Sequence, residues 1–568
     1  MLSSKWAQRV AAPVYRWLMI LLWPLTVSSL QTLHAQSPAA DIRFADTTLR
    51  SGLDFQHVSG AMDRMGYLPG LMAGGMALLD FDNDGMCDVY MLNGHRLPVA
   101  GAGEQSINQL FRNLGGAAFT DVSQLSRSHS AAFALGVAVA DYDNDGFQDM
   151  AISNLGSVTL LHNNGDGTFY DVTREAGLED AGIVFGAGLA FLDKEGDGDL
   201  DLYVADYVDF SFDGYDALLR KTYPYPPGPD HFSHRADHLF ENSGDGRFPD
   251  VSRTSGMADV RSPSMGVVCG DFDGDGDTDI FVCSDAKPNL LWINDGTGVF
   301  TEQAELFGAA YNANGNPIGS MGAEAADTNN DGFEDLFITS YSAQMPILFR
   351  NLGAVGFVDQ THASRSGRDV IPHANWGALL ADFDNDGDRD LMIANGHLFT
   401  WVNEVEQLTE FKVRNSLLAN DGHGRFTNVT DSAGDGLAVI ESSRGMACDD
   451  LDNDGDLDVV ILNSDSRATV LQNNTHNDYH WIAIRLVGET ANRDGVGATV
   501  SVHSDGQVQV AEVRSGRGYQ SAYGLRLHFG LAAQASVVQV RVHWMGITTE
   551  YRDLQIDREH VLRQGDTR

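Results

Sequence analysis

Cysteine is scarce in this chain: Cys87, Cys269, Cys283 and Cys448 are the only four in 568 residues. That excludes a disulfide scaffold. Cys269 and Cys283 flank one hairpin and can pair. Cys269 and Cys448 also occupy the repeat position held by Leu78, Val139 and Leu380, which reads them as small buried apolar residues. Basic residues are scarce as well, 37 Lys and Arg against 79 Asp and Glu, for a formal charge of −42. A nucleic-acid partner needs a basic surface and is excluded. Uncompensated carboxylates in this number predict bound cations. Beyond residue 35 no run is long and apolar enough to span a membrane. No GxSxG, HExxH or Walker motif is present, so no common catalytic constellation is legible. What the chain does have is hydrophobic content of 43%, enough for a packed core.

Residues 1–35 differ from the rest. Lys5, Arg9 and Arg16 make a basic start, Trp17 to Leu30 is mostly apolar, and polar sequence follows Ala35. This reads as a secretory signal cut after Ala35. The alternative is a retained anchor, but the apolar run is short and Pro24 interrupts it. Loss of the three basic residues takes the formal charge from −42 to −45. The chain is expected to be secreted, periplasmic or on the cell surface.

Self-comparison is decisive. Seven segments carry nearly the same nine residues: Asp80–Asp88, Asp141–Asp149, Asp193–Asp201, Asp271–Asp279, Asp327–Asp335, Asp382–Asp390 and Asp450–Asp458. A glycine lies five residues before each first Asp: Gly75, Gly136, Gly188, Gly266, Gly322, Gly377 and Gly445. Such a glycine in a strand signals close backbone approach. A short apolar run follows each last Asp, so every unit reads strand, tight loop, strand. A second hairpin follows six of the seven, as in LFRNLGGAAFTDVS (110–123) and LLHNNGDGTFYDVT (160–173). Two hairpins make a four-stranded blade. The seventh second hairpin is split, with LQNN (471–474) as its first half and FADT (44–47) as its second. A ring closed by strands from both ends predicts this, and it leaves no open edge. The expected architecture is all-β: a seven-bladed β-propeller over 36–475, then a small β-sandwich-like domain over 476–568.

Alternate carboxylates in a glycine-containing loop suit Ca²⁺, which takes 6–8 oxygens in flexible geometry. Positions 1, 3, 5 and 9 are the candidate side-chain ligands. In the first two loops they are Asp80, Asp82, Asp84 and Asp88, then Asp141, Asp143, Asp145 and Asp149. The third has Asp193, Glu195, Asp197 and Asp201, and the fourth Asp271, Asp273, Asp275 and Asp279. The fifth has Asp327, Asn329, Asp331 and Asp335, an amide replacing one acid. The last two have Asp382, Asp384, Asp386 and Asp390, then Asp450, Asp452, Asp454 and Asp458. Glycine at position 6 permits the sharp turn. An EF-hand needs Glu at position 12, and here that position is an apolar strand residue from Met91 to Ile461, so the EF-hand is rejected. The alternative, a set of solvated acidic turns, does not demand Asp at a fixed ninth position. Up to seven structural calcium ions are expected.

At these residues the chain resembles the FG-GAP/VCBS repeat propellers, the class that includes the integrin α-subunit head. The tail resembles the ASPIC/UnbV domain at Asn492–Ala498, at Ser515-Gly516 with Gly518–Ser521, and at His528–Leu531. It departs from that domain's usual Trp-Pro-x-Gly at Trp544-Met545-Gly546, one residue shorter and without proline. The whole is similar to the cartilage acidic protein-like family. The resemblance implies calcium binding and an extracytoplasmic location, and no established reaction.

Blade topology puts the acidic loops and the NGDG-like turns on one face and the remaining loops on the other. The longest insertion, 206–238, lies on that opposite face, with Asp206, Tyr207, Tyr223, Tyr225, His231, His234 and His238. Asn93-Gly94-His95 and Asn395-Gly396-His397 begin two other such loops, with Tyr341 and Trp376 nearby in the repeat. Aromatics, histidines and amides around a channel mouth can bind a protein, glycan, small molecule or metal; equally, such loops simply pack over a propeller. The leading reading is a binding or adhesion module. The rival is an extracytoplasmic enzyme of secondary metabolism using the opposite face. A deep polar pocket at the channel mouth would favour the enzyme, and a broad shallow face the module.

Overall fold

A computed structural model describes residues 42–60, 66–97, 107–130, 132–223, 225–504, 506–534, 536–537 and 539–566. The expected signal segment, 1–35, lies outside the described residues. Each acidic nonapeptide sits between two antiparallel strands, as expected. In the second unit these are Ala134–Ala140 and Asp149–Asn154, both buried along their whole length. Burial on both faces is why these strands read as continuous apolar runs rather than alternating ones. Two outer strands, Ser157–Asn163 and Phe169–Asp171, complete that sheet in sequence order. Seven sheets of this kind carry the seven loops. The third has three strands, with a single bridge between Phe240 and Asp250 where a fourth would run. The seventh takes its outer strand from the other end of the chain: Phe44 pairs Asn473, Ala45 pairs Gln472 and Asp46 pairs Leu471.

The innermost strands neighbour one another in a closed circle, from the sheet of Met76–Leu79 round to that of Ser443–Asp449 and back. The seven glycines show what closes it. A Cβ on Gly136 would stand 2.5 Å from the Ala187 carbonyl, on Gly188 2.5 Å from Met265, and on Gly322 2.5 Å from Trp376. On Gly445 it would stand 2.5 Å from the Gly74 carbonyl, which joins the last blade to the first. Only glycine lets neighbouring inner strands approach so closely.

The strands after residue 479 form two further sheets. His480–Val487 pairs antiparallel with Arg526–Ala532 and parallel with Arg558–Arg563. Gln507–Glu512, Thr499–Ser504, Gln539–Trp544 and Ile547–Arg552 form the other. The turn at Met545-Gly546 is a two-residue hairpin loop with φ of 40° and 97°, a primed turn that matches strand twist, so no proline is needed. Residues 39–568 are one compact unit, and apolar side chains such as Ile482, Ile484 and Phe529 share a core with Leu79, Val137 and Phe191 of the ring. The four cysteines are all free thiols; Cys269 pairs with Ile280 across its hairpin rather than with Cys283.

Candidate metal centres

The seven loops fold alike, and the reason is local. The first Asp accepts two backbone N–H groups, from positions 5 and 6: Asp84 and Gly85 donate to Asp80 at 3.0 and 3.1 Å, and Asp275 and Gly276 donate to Asp271 at 3.1 and 3.0 Å. The carboxylate at position 5 accepts the N–H of position 7, as Met86 donates to Asp84 at 2.9 Å. Position 4 lies in the left-handed region, with φ of 56° at Asn83 and 59° at Asn144, and is Gly196 or Gly274 elsewhere. Asparagine and glycine are the residues that tolerate this. The restriction of this position to Asn and Gly is visible in the sequence.

Position 9 is a brace between strands. Asp149 accepts the Tyr142 N–H at 3.2 Å and the Asn163 N–H at 2.7 Å; Asp279 accepts those of Phe272 and Asn294 at 3.0 and 2.9 Å. The asparagine itself reaches the neighbouring blade. Asn163 Nδ2 donates to the Phe81 carbonyl at 2.8 Å, Asn294 to Lys194 at 2.8 Å, and Asn113 to Leu451 at 2.8 Å, the last crossing the ring closure. Asn242, Asn351, Asn420 and Asn473 repeat the bond. Seven such latches join the loops around the ring. The repeated asparagine of the second hairpin was the signal, and it was not used.

Positions 1, 3 and 9 converge. Oxygens of Asp80, Asp82 and Asp88 lie within 4.8 Å of one another, as do those of Asp141, Asp143 and Asp149, of Asp271, Asp273 and Asp279, and of Asp382, Asp384 and Asp390. Position 5 joins such a group in the second loop, where Asp145 meets Asp143 and His162. Burial, with help from neighbouring carboxylates, raises Asp88 and Asp279 to about 8 and Asp149 to about 7. Carboxylates so placed favour a multivalent cation, which restores their ionised form. In the second, fourth and seventh loops no lysine or arginine among the described residues pairs with these acids, and the donor set fits calcium. In the first, third and fifth a basic side chain enters the loop.

The C-terminal strands dock on this same face. Asp494 accepts the Asp141 N–H at 2.8 Å and Arg493 donates its N–H to Asn144 at 2.7 Å. Glu512 accepts the Asp271 N–H at 3.3 Å, Arg526 donates to the Asp450 carbonyl at 2.6 Å, and His528 meets Asn385 at 2.7 Å. The segment Arg514–Tyr523 enters the channel. The N–H groups of Leu78, Val137, Val139 and Ala323 donate to the carbonyls of Ala522, Gln520, Ser515 and Gly518. Inner strands would otherwise leave these groups unpaired. The Arg517 guanidinium and the Tyr523 hydroxyl both donate to buried Glu324, the latter at 2.6 Å. Tyr519 runs deepest, donating to the Met72 carbonyl at 2.6 Å and packing edge-on against Trp376. Nothing in the sequence located this segment, because the groups it satisfies lie hundreds of residues away.

The opposite face is covered by its own chain. The insertion after the third loop forms a helix, Phe212–Thr222, capped by Ser211. Phe210, Phe212 and Tyr215 pack with Tyr67, which precedes the first blade, and Phe232 stacks on Tyr215. Tyr225 reaches Trp401, and Trp401 stacks on Phe399, which meets His397. His397 therefore joins the insertion through aromatic rings. His95 instead packs against Phe133, His231 bonds the Gly228 carbonyl, and His238 lies between Asp206 and Asp250. The histidines singled out from the sequence lie in separate surroundings. A groove of about 770 Å³ lies on the sixth blade, lined by Lys412, Arg414, Thr430 and Asp431 among others.

Seven sheets in a closed circle, with acidic hairpin loops on one face, define a repeat β-propeller. This chain belongs to the FG-GAP-like repeat family, whose model matches residues 80–152, 141–204, 231–282, 271–338 and 327–393, just over half of the chain. A second model, ASPIC and UnbV, matches residues 488–568. Cartilage acidic protein 1 of Homo sapiens is 24% identical over 430 residues, covering 72% of this chain and 59% of the relative. That of Xenopus tropicalis is 24% identical over 452 residues, covering 66% of each. The chain thus spans less than two thirds of the length of these relatives. Among solved structures, an Agrocybe aegerita lectin described as recognising non-reducing terminal N-acetylglucosamine is similar at a TM-score of 0.37, with 18% identity over 64% of this chain and 82% of that one. BBS1N, solved in complex with ARL6DN, gives a TM-score of 0.40 with 8% identity over 76% and 96%. Scores this low carry neither fold nor function to this chain.

Proposed function

We propose that this chain is an exported, calcium-binding propeller that acts as an interaction module, with calcium structural in the blade hairpins. The observation that supports this most is the docking of the C-terminal strands onto the acidic loops. Loops that merely faced water would have no reason to present buried, converging carboxylates under a second layer of protein. In this reading residues 1–35 are a signal, 36–475 the propeller and 476–568 an ASPIC/UnbV domain seated on the metal loops. Outside the cytosol calcium is available at the levels that extracellular modules use, with Kd on the order of 10⁻⁴–10⁻³ M. The proposed side-chain ligands are those at positions 1, 3, 5 and 9 of the loops. The channel is filled by Arg514–Tyr523 and its far mouth is roofed by aromatics, which favours partner binding on the outer surfaces over chemistry in a channel pocket.

Thermal melting of the mature protein with calcium and with excess EDTA tests the metal. Calcium bound only by the folded loops raises the melting temperature. An unchanged curve overturns the structural-calcium reading. A glycan, peptide and small-molecule binding screen on the same protein addresses the partner.

A further inference from the structure

The residue just before the latch asparagine points into the acidic loop of its own blade. In the first blade it is Arg112, whose Nε lies 2.7 Å from Asp82 and whose Nη2 donates to Asp84 at 2.9 Å. Arg485 of the C-terminal strands stands 3.6 Å from Asp80 in the same loop. In the fifth blade it is Arg350, 2.7 Å from Asp331 and 3.5 Å from Asn329. There Asp335 also accepts hydrogen bonds from the Thr328 hydroxyl and, at 3.2 Å, from the Asn329 amide. In the third blade the residue is Glu241, and it grips an ammonium supplied by the loop. Lys194 Nζ lies 2.5 Å from Glu195, 3.1 Å from Glu241 and 3.8 Å from Asp201. Lys194 is 4% exposed. Its loop position is held by Phe81, Tyr142, Thr328 and other uncharged residues elsewhere.

The remaining blades have no lysine or arginine at this register. His162 faces the second loop at 3.3 Å from Asp143, and Gln472 donates to Asp452 of the seventh at 2.7 Å. Ile293 and Ala419 hold the position in the fourth and sixth. An imidazole can turn a lone pair toward a metal and an amide can turn its oxygen. A guanidinium or an ammonium can offer only N–H groups.

We infer that the first, third and fifth loops carry a built-in side-chain cation in place of calcium, so that the chain binds at most four ions rather than seven. The inference rests on the calcium reading above. In each of these loops a basic group engages the side chain at position 3 and a carboxylate at position 5 or 9, and a divalent ion entering beside it would meet a like charge. The three blades are first, third and fifth, so from the first to the fifth blade loops held by their own charge alternate with loops that depend on the medium, and the sixth and seventh both depend on it.

The test is a count of calcium per chain by native mass spectrometry on the full mature protein equilibrated at about 1 mM calcium. One to four ions is the expected result, and five or more overturns the inference. Zero ions overturns the calcium reading itself, so the two failures are distinct. Lys194→Met keeps the apolar stem and removes the ammonium, and the count should rise by one. Arg112→Gln, on a side chain 40% exposed, should also add one ion and is the variant least able to disturb folding. An unchanged count in either folded variant overturns the assignment for that loop. Asp273→Ala in the fourth loop should lower the count by one.

Discussion

On one face of the ring, seven acidic loops meet the C-terminal strands through ion pairs and hydrogen bonds; on the other, a helix and a cluster of aromatic side chains lie over the channel. The first face stores like charge and, on the calcium reading proposed above, takes a cation from outside the chain in some of its loops. The second buries apolar area and asks nothing of the medium. Two closures of such different chemistry should fail separately. The channel segment Arg514–Tyr523 touches both, since it starts among the loops and reaches Trp376 through Tyr519.

Chelation is the largest expected effect. At a tenfold excess of calcium over Kd each ion adds about 1.4 kcal/mol. Up to four ions then contribute about 6 kcal/mol, which in a chain of this size lowers the melting temperature by about 5 °C. Hydrogen exchange should rise in loops such as Asp271–Asp279 and in the docked strands, while the helix Phe212–Thr222 keeps its protection. Equal loss of protection on both faces would break the comparison.

Next comes the channel. Glu324 is fully buried and Arg517 is 9% exposed. Arg517→Ala leaves the carboxylate without its guanidinium and should cost about 3–5 kcal/mol, whereas the double change Glu324→Met with Arg517→Met should be close to neutral. Urea titration of the three proteins decides it. A double change as costly as the single one would mean that the segment is held by these charges rather than by its backbone bonds.

Acid should weaken the opposite face. His397 is 1% exposed, and burial, with the nearby Arg444 adding, lowers its pKa from 6.5 to about 4. The native state therefore binds fewer protons than the unfolded chain between those values. This contribution is present above pH 6.5 and is lost as pH falls toward 4, by about 3 kcal/mol in all. With calcium saturating, His397→Gln should flatten the pH dependence by that amount relative to the parent. Parallel profiles for the two proteins would place the acid sensitivity elsewhere.

Much of the loop face was legible in the sequence because its determinants are local. Gly75 and its six counterparts, the Asp at position 1 and the turn glycine each act within a few residues of themselves, and the split hairpin was readable because FADT matched the outer halves of complete blades. The ring closure followed. The sequence reads the Asp at position 9 as a metal ligand, and its brace to the strand asparagine shows a requirement that exists without any metal. The latch from Asn163 to Phe81 needs the neighbouring blade, and the Arg514–Tyr523 segment needs the whole ring, so neither could be placed from the sequence. The histidine cluster failed for the converse reason: a shared face does not bring side chains together, and His95, His231 and His238 each found a partner nearby.

The smallest effect belongs to Tyr225, which is half exposed and lies with its ring centroid 5.8 Å from that of Trp401. An aromatic pair is worth about 0.5–1.5 kcal/mol beyond the area it buries, and exposure puts this one at the low end. Tyr225→Ala should therefore cost about 1 kcal/mol, read from urea unfolding. The informative part is its response to EDTA. If the two faces close independently, the cost is the same with and without calcium, because sites without shared partners add. A route by which it can differ runs through His397, Arg444 and Trp376 to Tyr519, where the Arg444 guanidinium lies 4.0 Å from the Trp376 ring. A cost that changes when calcium is removed would show that this short aromatic path carries the state of the loops to the opposite face, and the propeller would then be one coupled closure rather than two.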